Sequence, residues 1–326
     1  KKTGIIKSVL ALFSVLIFFK FVFYKCIKLR PSFLSVHNPT LLPVASLVKK
    51  KIKTKIIYVP HELETERAGL VGLFKRITKF VERKYIYDCD GMTVVSEPIK
   101  NWYAKYYKIC GIGVVPNIPI NPNYKKEFLR KKLFREEFKI SDNDLIFIYQ
   151  GLLSKVRGLD ILIKVFSSIS KNKHLVIMGY GEMEDDIVKA SSIQSNIHFK
   201  QAVKRDKIID YTSSADVGLQ INCEEMTLSY KYSLPNKFYE YSIGRLYLIV
   251  TSNYTEQSRI INEQKLGASV KPTFLDLKNL INNISLGVIQ QTVENSEKFR
   301  SNISWVNNED VLIDVYKEKL KLKMNL

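Results

Sequence analysis

Cysteine and histidine are scarce in this chain of 326 residues, which has four of each. The cysteines form no Cys-x-x-Cys pair, and their spacing matches no disulfide or zinc pattern. This scarcity argues against a metal site and against a disulfide framework. It favours a protein of the reducing cytoplasm, and we expect neither a metal ion nor a cofactor. The four cysteines are Cys26, Cys89, Cys110 and Cys223.

The chain also lacks a long uncharged apolar run. Residues 5–24 are strongly apolar, but Lys7 and Lys20 leave only 12 uncharged residues between them, whereas a membrane-spanning helix needs about 20. No small-residue cleavage site follows, which argues against a signal peptide. Two compatible interpretations stay open: a helix buried in the first domain, or an interfacial helix whose Phe and Leu side chains enter the edge of a bilayer.

Acidic residues are few relative to basic ones, and the formal net charge is +19. Such a charge fits nucleic acid, an anionic membrane surface or phosphorylated substrates as partners. Part of it reflects Lys scattered through a chain rich in Ile and Asn, and no basic–aromatic motif of a known nucleic-acid module occurs. We therefore expect no nucleic-acid partner and keep an anionic membrane surface as a candidate. A basic nucleic-acid-binding protein remains an alternative of another class.

Short strand-like runs alternate with longer helical patterns, which predicts an α/β fold with parallel sheets covered by helices. The predicted strands are 33–36, 55–59, 91–95, 145–150, 174–178, 196–199, 216–221, 246–250 and 268–270. The predicted helices between them are 70–87, 97–107, 158–169, 182–190, 204–213, 235–243 and 255–263.

A segment with three prolines, residues 115–123, is typical of a linker and divides the chain. We predict an N-terminal domain at 1–117, a second domain at 118–300, and a C-terminal helix at 301–326 that packs back toward the N-terminal domain. The N-terminal part has only three predicted strands and opens on a helix. We therefore expect it to be incomplete and to have lost its first strand–helix units.

The segment Ser233-Leu234-Pro235-Asn236-Lys237 has the pattern of a helix start, with Ser233 as N-cap and Pro235 in the first turn. Such a start offers unpaired N–H groups and a positive dipole end to an anion. Glu240 lies about two turns further on, where its carboxylate could accept two hydroxyl hydrogen bonds from a sugar ring. Phosphate at the helix start and ribose on Glu240 indicate a nucleotide-sugar pocket. An ordinary core helix with a solvated Glu fits the same residues.

Two loops after predicted strands carry further candidates. Gly151 begins a loop with the cations Lys155 and Arg157, and the Arg157 guanidinium could offer a planar fork of donors to a diphosphate. Gly179-x-Gly181 follows another strand and permits close approach of a backbone, although this motif is weak by itself. Ligands of open α/β sheets bind beyond the carboxyl ends of strands, where both loops fall.

His61 follows a predicted strand of the N-terminal part, where a neutral imidazole could bind an acceptor or sugar hydroxyl and help move a proton. A lone His is more often structural. Taken in order along the chain, these residues resemble family 4 glycosyltransferases of the GT-B fold, above all bacterial enzymes that build surface polysaccharides. The resemblance runs from about residue 33 and rests on His61, the loop 151–157, Gly179-x-Gly181, the segment 233–240 and a closing helix with Trp305, Asp310, Leu312 and Tyr316.

The resemblance implies two Rossmann-like doubly wound domains: an incomplete N-terminal one at 1–117 on the acceptor side, and a second at 118–300 that binds the nucleotide-sugar donor. It implies transfer of a hexosyl-type group from a nucleotide-sugar donor to a glycan or lipid-linked acceptor, with retention of anomeric configuration and no metal. Glu240 matches the ribose-binding second Glu of the family's E-x7-E motif, Arg157 the cation on the leaving diphosphate, and His61 the acceptor-side His. The implied location is cytoplasmic or peripheral on the inner face of the membrane.

The chain departs from the family pattern at several positions. Tyr232 stands where the first Glu of the motif would fall, and Leu152 replaces a basic residue, for which Lys155 is the candidate replacement. The first strand of the family and its Gly-rich loop are absent. A nucleotide-sugar epimerase of the same fold and an inactive remnant therefore remain alternatives to an active transferase.

Overall fold

A computed structural model describes residues 2–119, 130–222, 225–303 and 305–320 of the chain. The chain divides into two compact units, each with its own parallel sheet. The first unit comprises Lys1–Pro116, Thr227–Ser229 and Asn308–Leu326, and the second comprises Asn117–Met226 and Tyr230–Asn307.

The strands and helices alternate along most of the chain, as the α/β prediction required. The strands are β1 (Phe33–Val36), β2 (Lys55–Tyr58), β3 (Gly91–Val94), β4 (Ile112–Val114), β5 (Leu145–Leu152), β6 (Lys173–Tyr180), β7 (Ile197–Gln201), β8 (Val217–Gln220), β9 (Tyr247–Thr251) and β10 (Gly267–Val270). The helices are α1 (Lys2–Leu29), α2 (Leu42–Ile52), α3 (Gly72–Tyr85), α4 (Glu97–Tyr107), α5 (Leu133–Phe138), α6 (Leu159–Ser167), α7 (Glu184–Ile193), α8 (Ile208–Thr212), α9 (Leu228–Lys231), α10 (Asn236–Ile243), α11 (Thr255–Gln264), α12 (Phe274–Asn283), α13 (Leu286–Asn302) and α14 (Trp305–Leu320).

The first unit is built on a four-stranded sheet in the order β1-β2-β3-β4, with all neighbours parallel. Each strand pairs with the next in sequence, so right-handed crossovers place α2, α3 and α4 on one face of the sheet. Helix α1 packs against α2, and α2 packs against α3. The Tyr316 ring of α14 packs edge-on against Phe33, with the ring centroids 5.0 Å apart.

The second unit has a six-stranded parallel sheet in the order β10-β9-β8-β5-β6-β7. The chain starts in the middle at β5, runs outward to β7, and returns to the other side of β5 for β8, β9 and β10. This reversal is the topological switch point of a Rossmann fold, beside which ligands bind at the carboxyl ends of the strands. Apolar side chains of β5 alternate between two cores, with Phe147 on one face and Ile148 on the other.

The predicted fold class is confirmed: two Rossmann-like units, of which the N-terminal one has the smaller sheet. The prediction of three N-terminal strands is wrong, because β4 adds a fourth. This strand has only three residues and Gly113 at its centre, so it shows no apolar run. The predicted linker continues beyond residue 119, and residues 120–123 lie outside the described part of the chain.

The apolar N-terminal segment forms most of α1, a single helix of 28 residues. Among the residues described, no helix combines the length and the apolarity that crossing a bilayer requires.

Candidate functional site

A cavity of about 520 Å³ opens in the second unit, where β5 and β6 end and α10 begins. This is the edge of the sheet beside the switch point, where the topology predicts a ligand. Its lining combines backbone, two cations, one carboxylate and an apolar side. The lining residues are Tyr149, Gln150, Gly151, Leu152, Arg157, Met178, Gly179, Tyr180, Ala202, Val203, Ile208, Pro235, Asn236, Lys237 and Glu240.

Glycines bring the backbone of two strands together at the floor of the cavity. Gly151 of β5 lies opposite Gly179 of β6 in the parallel register. A Cβ atom at Gly179 would lie 1.9 Å from the Gly151 carbonyl oxygen, so no larger residue fits there. Gly181 has a φ of +151°, and a Cβ there would lie 2.4 Å from the Leu153 carbonyl oxygen. Gly151 and Gly179 thus expose backbone to the cavity, while Gly181 shapes the turn beneath it.

Helix α10 presents its first turn to the cavity, but its cap differs from the prediction. Ser233 is not the N-cap, because its Oγ donates to the Tyr230 carbonyl at 2.9 Å. Pro235 is the N-cap, with φ −73° and ψ 159°, and it offers no side-chain acceptor to the first N–H groups. Proline is poor as a cap for the helix but leaves those N–H groups available to an anion in the cavity. Leu234 is buried in the core beneath this turn.

Two cations line the cavity, Arg157 and Lys237. The Arg157 guanidinium lies over the Tyr230 ring at 5.1 Å, and Lys237 Nζ lies 4.3 Å from the centroid of the Tyr149 ring. Aromatic faces position both charges without neutralising them. Burial, and then the charge of Arg157, lower the pKa of Lys237 to about 7, while Glu240 acts in the opposite direction.

Lys155, the predicted substitute for the basic residue missing at Leu152, does not line the cavity. Its backbone N–H donates to Glu182 Oε1 at 3.1 Å, and the residue is exposed. Lys237 of α10 is the cation that accompanies Arg157 in the cavity lining.

Glu240 is held by a chain of polar side chains that reaches into the core. Gln150 Nε2 donates to Glu240 Oε2 at 2.5 Å, and Thr212 Oγ1 donates to Gln150 Oε1 at 2.7 Å. Burial raises the pKa of Glu240, whereas the Gln150 hydrogen bond and the charges of Lys237 and Arg205 oppose this rise. One carboxylate oxygen is thus engaged by Gln150, which fixes the orientation of the carboxylate toward the cavity.

The structure brings together seven of the twelve predicted site residues. Gly151, Arg157, Gly179, Pro235, Asn236, Lys237 and Glu240 line the cavity, whereas Lys155, Gly181, Ser233 and Leu234 do not. Sequence reasoning missed Gln150 and Tyr149, which orient Glu240 and Lys237. Both lie at the end of the predicted apolar run 145–150, which stops two residues before β5 ends, and polar side chains at that point are a signal that could have identified them.

The twelfth predicted residue, His61, belongs to the first unit. Its Nε2 lies 3.0 Å from Nδ1 of His37, and the two rings stack with centroids 5.0 Å apart. Ser35 Oγ lies 3.1 Å from the other ring nitrogen of His37. Burial, and then the charge of His61, lower the pKa of His37. His37 follows β1 as His61 follows the adjacent β2, a symmetry that the sequence contained and that sequence reasoning did not use.

Within the part of the chain that the structure describes, no three His, Cys, Asp or Glu side chains are grouped closely enough to hold a metal ion.

Two families match the chain. Residues 130–303 match the family described as "Glycosyl transferases group 1", and residues 6–118 match "Glycosyltransferase Family 4". The first match alone spans more than half of the chain, so the chain belongs to the group 1 glycosyltransferases. It is therefore an enzyme of the family 4 type, which transfers a sugar from a nucleotide-sugar donor. Among curated protein sequences, none matches this chain significantly.

Solved structures with the same fold include three proteins of low sequence identity to this chain. A glycosyltransferase from Rickettsia africae has a TM-score of 0.71 at 16% identity, over 93% of this chain and 80% of that one. HepE from Anabaena, solved with UDP and glucose, has a TM-score of 0.69 at 10% identity, over 91% and 81%. WaaG, a glycosyltransferase of lipopolysaccharide biosynthesis, has a TM-score of 0.60 at 14% identity, over 83% and 80%.

Proposed function

We propose that the cavity of the second unit binds a nucleoside diphosphate sugar, and that the enzyme transfers a hexosyl group from it. The observation that carries this proposal is the convergence of an uncapped helix start, two cations and one oriented carboxylate in a single cavity. A diphosphate needs N–H donors and positive charge, and a ribose needs an acceptor for its hydroxyls. HepE, which shares the fold, was solved with UDP, and UDP is therefore the first nucleotide to test.

Each part of the cavity fits one part of such a donor. The N–H groups of Asn236 and Lys237 and the side chains of Arg157 and Lys237 would bind the diphosphate. Glu240 would bind the ribose through the carboxylate oxygens that Gln150 does not fully occupy. The apolar side of the lining, with Met178 among its residues, would accept the base. This arrangement replaces the predicted roles of Ser233 and Lys155.

The same groups would promote cleavage of the anomeric C–O bond. Negative charge grows on the diphosphate as this bond breaks, and preorganised cations stabilise it more in the transition state than in the bound donor. Removing one such contact would raise the barrier by on the order of 3 kcal/mol. The positive charge of Arg157 and Lys237 supports the predicted metal-independent reaction. Retention of configuration stays a prediction from the family resemblance.

The acceptor is proposed to be a glycan or a lipid-linked glycan of a surface polysaccharide pathway. This proposal rests on the family resemblance and on the fold shared with WaaG. The cytoplasmic location stays a prediction from the cysteine pattern. The role of His61 at the acceptor side also stays a proposal, and its pairing with His37 is the structural feature that supports a functional histidine there.

A thermal-shift screen of UDP, GDP, ADP and their glucose conjugates tests the donor site. We expect at least one ligand to raise the melting temperature, and Glu240→Ala to lose most of this shift. Glu136→Ala is the matched control, because Glu136 is an exposed carboxylate of α5 in the same unit. If the best ligand stabilises Glu240→Ala as much as the wild type, the assignment of Glu240 to the ribose is wrong. If no nucleotide stabilises the wild type, the donor site itself is wrong.

A further inference from the structure

Helix α3 of the first unit exposes apolar side chains and buries its carboxylate, the reverse of an ordinary surface helix. Leu73, Phe74, Ile77 and Phe80 are all exposed, and the Phe74 side chain reaches 76% exposure. Leu73, Ile77 and Phe80 are spaced by four and three residues, which places them along one stripe of the helix, and Phe74 widens this stripe on one side. Glu82, in contrast, is fully buried.

Polar contacts determine which side of α3 faces inward. The Glu82 carboxylate accepts hydrogen bonds from the hydroxyls of Tyr58, Tyr103 and Tyr107, at 2.7, 2.9 and 2.6 Å. One turn and two turns earlier, Lys79 and Lys75 both form ion pairs with Glu66, at 2.6 and 2.7 Å. Turning the helix to bury its apolar stripe would break every one of these contacts and strand a carboxylate. The outward position of the stripe is therefore built into the unit.

Positive charge accompanies the apolar stripe. Arg76, Arg83 and Lys84 are exposed beside it, and Lys84 Nζ lies 5.8 Å from the centroid of the Phe80 ring. Glu82 is the only acidic residue within α3, and it is buried. The exposed side of this helix therefore carries apolar side chains and cations without an anion of its own.

We propose that the exposed side of α3 docks on an anionic lipid bilayer, with the helix axis parallel to the membrane plane. An amphipathic helix of this kind inserts its apolar side chains at the level of the headgroups, while Lys and Arg contact anionic lipid. A second copy of this chain fits the surface less well, because it would bring the same cations together. The proposal goes beyond the donor cavity and does not depend on it.

Two other helices of the first unit, α1 and α2, also expose apolar side chains. Helix α1 packs against α2, which packs against α3, and the side chains of Phe18, Phe21 and Tyr24 on α1 are exposed. In α2, Leu47 is exposed, and together with Lys50 and Lys51 it lines a shallow depression. A bilayer is broad enough to meet several such helices, whereas a narrow peptide ligand is not.

Vesicle flotation with the full-length chain tests the proposal. We expect the protein to float with phosphatidylcholine vesicles that contain phosphatidylglycerol, and to float poorly with phosphatidylcholine alone. The double variant Phe74→Ser/Ile77→Ser should bind the anionic vesicles about tenfold or more weakly, because two apolar anchors are lost. The charge reversal Arg76→Glu/Lys84→Glu should weaken binding about tenfold or more.

Matched variants on the second unit distinguish binding through α3 from nonspecific binding of the protein to vesicles. Val188→Ser/Ile193→Ser removes two exposed apolar side chains from α7, and Lys164→Glu/Lys189→Glu makes the same change of net charge. Both should bind anionic vesicles as the wild type does. The proposal is overturned if the wild type binds neither kind of vesicle, or if Phe74→Ser/Ile77→Ser binds anionic vesicles as well as the wild type does. It is also overturned if the wild type is a dimer and Phe74→Ser/Ile77→Ser makes it a monomer, because α3 would then be a dimer interface. Nucleotide-induced thermal shifts should be the same in all four variants.

Discussion

Lys237 should take up a proton when the donor binds. In the free protein its ammonium group shares the cavity with Arg157, and its pKa is lowered to about 7 by burial and by that charge. Glu240 is the acidic side chain in the lining, and Gln150 already engages it. A bound diphosphate would add negative charge close to Nζ and raise the pKa of Lys237 toward or above its ordinary value. Binding and protonation should therefore be linked.

The size of this linkage follows from the two pKa values. At pH 7 about half of the Lys237 groups are neutral in the free protein, so binding should take up about 0.5 proton per donor. At pH 8 the uptake should rise to about 0.8. With a bound pKa of about 9, donor affinity should fall about fivefold between pH 7 and 8, and about fivefold again by pH 9. Below pH 6 the affinity should be nearly independent of pH.

Calorimetric titration with UDP-glucose measures this uptake, because its diphosphate diester does not titrate near neutrality. Titrations in buffers of different ionisation enthalpy give the number of protons from the slope of the observed heat. Lys237→Met should bind about tenfold or more weakly at pH 6 and should take up no proton there or at pH 8. Lys237→Arg should bind without proton uptake at either pH. Full binding by the wild type without proton uptake would refute the linkage, as would an unchanged uptake in Lys237→Met.

Three further changes have defined outcomes. Gly179→Ala should lower the free energy of unfolding in urea by about 3 kcal/mol, since its Cβ would collide with the neighbouring strand. Gly287→Ala should change it by less than about 1 kcal/mol, because a Cβ there would meet no atom closer than 3.9 Å. Burial, and then the charge of His174, hold the pKa of His198 at about 4. As pH falls, the unfolded chain therefore binds this proton at a higher pH than the folded chain does. The free energy of unfolding should be at its full value above about pH 6.5 and should fall by about 2 kcal/mol as pH approaches 4. His198→Asn should flatten this pH dependence. If urea unfolding at several pH values gives the same dependence of the unfolding free energy on pH in the variant as in the wild type, this prediction is wrong. His61→Ala should lower kcat with little change in donor affinity, and His37→Ala should reproduce part of that loss; equal kcat in steady-state assays would remove both from the reaction.

The alternation of strands and helices could be predicted because the parallel strands are buried on both faces. Such strands are continuous apolar runs, and each predicted run coincides with an observed strand to within a few residues. The sequence analysis missed β4, because this edge strand of three residues with a central glycine carries no such run. Several helices were also missed, among them α12 and α13.

Helix-capping signals would have recovered two of those helices. Thr273 caps α12 by accepting a hydrogen bond from the Asp276 N–H, and its own hydroxyl donates to the Asp276 carboxylate. Ser285 caps α13 through the Val288 N–H. These are the local patterns of a helix start. In α12, Phe274, Leu277 and Ile281 also recur at helical spacing and face the core, so capping and periodicity together would have predicted this helix.

The position of the site could be predicted, but not which side chains face it. Parallel strands carry their loops to one edge of the sheet, so the backbones of Gly151 and Gly179 and the first turns of α10, which carry Glu240, converge before any side chain is considered. The choice between Lys155 and Lys237 depends on the short 3-10 turn at 155–157, which directs Arg157 inward while the residue at 155 stays exposed. The orientation of Glu240 depends on Gln150, which comes from a strand 90 positions earlier.

Helix α3 shows most clearly what a one-dimensional pattern omits. Its sequence is amphipathic, and amphipathic patterns ordinarily mean that the apolar stripe faces the core. Here three tyrosines from β2 and α4 bind Glu82 and take the inner position, so the apolar stripe faces outward. The sequence of residues 72–85 alone does not distinguish the two orientations. They differ in whether Glu82 reaches the tyrosine hydroxyls, and these hydroxyls belong to other elements of the unit. Glu82→Gln should weaken the hydrogen bonds with the three tyrosines and so lower the free energy of unfolding. The apolar stripe of α3 should then turn inward, and binding to anionic vesicles should fall. A Glu82→Gln variant that binds anionic vesicles as the wild type does would show that the carboxylate does not set this orientation.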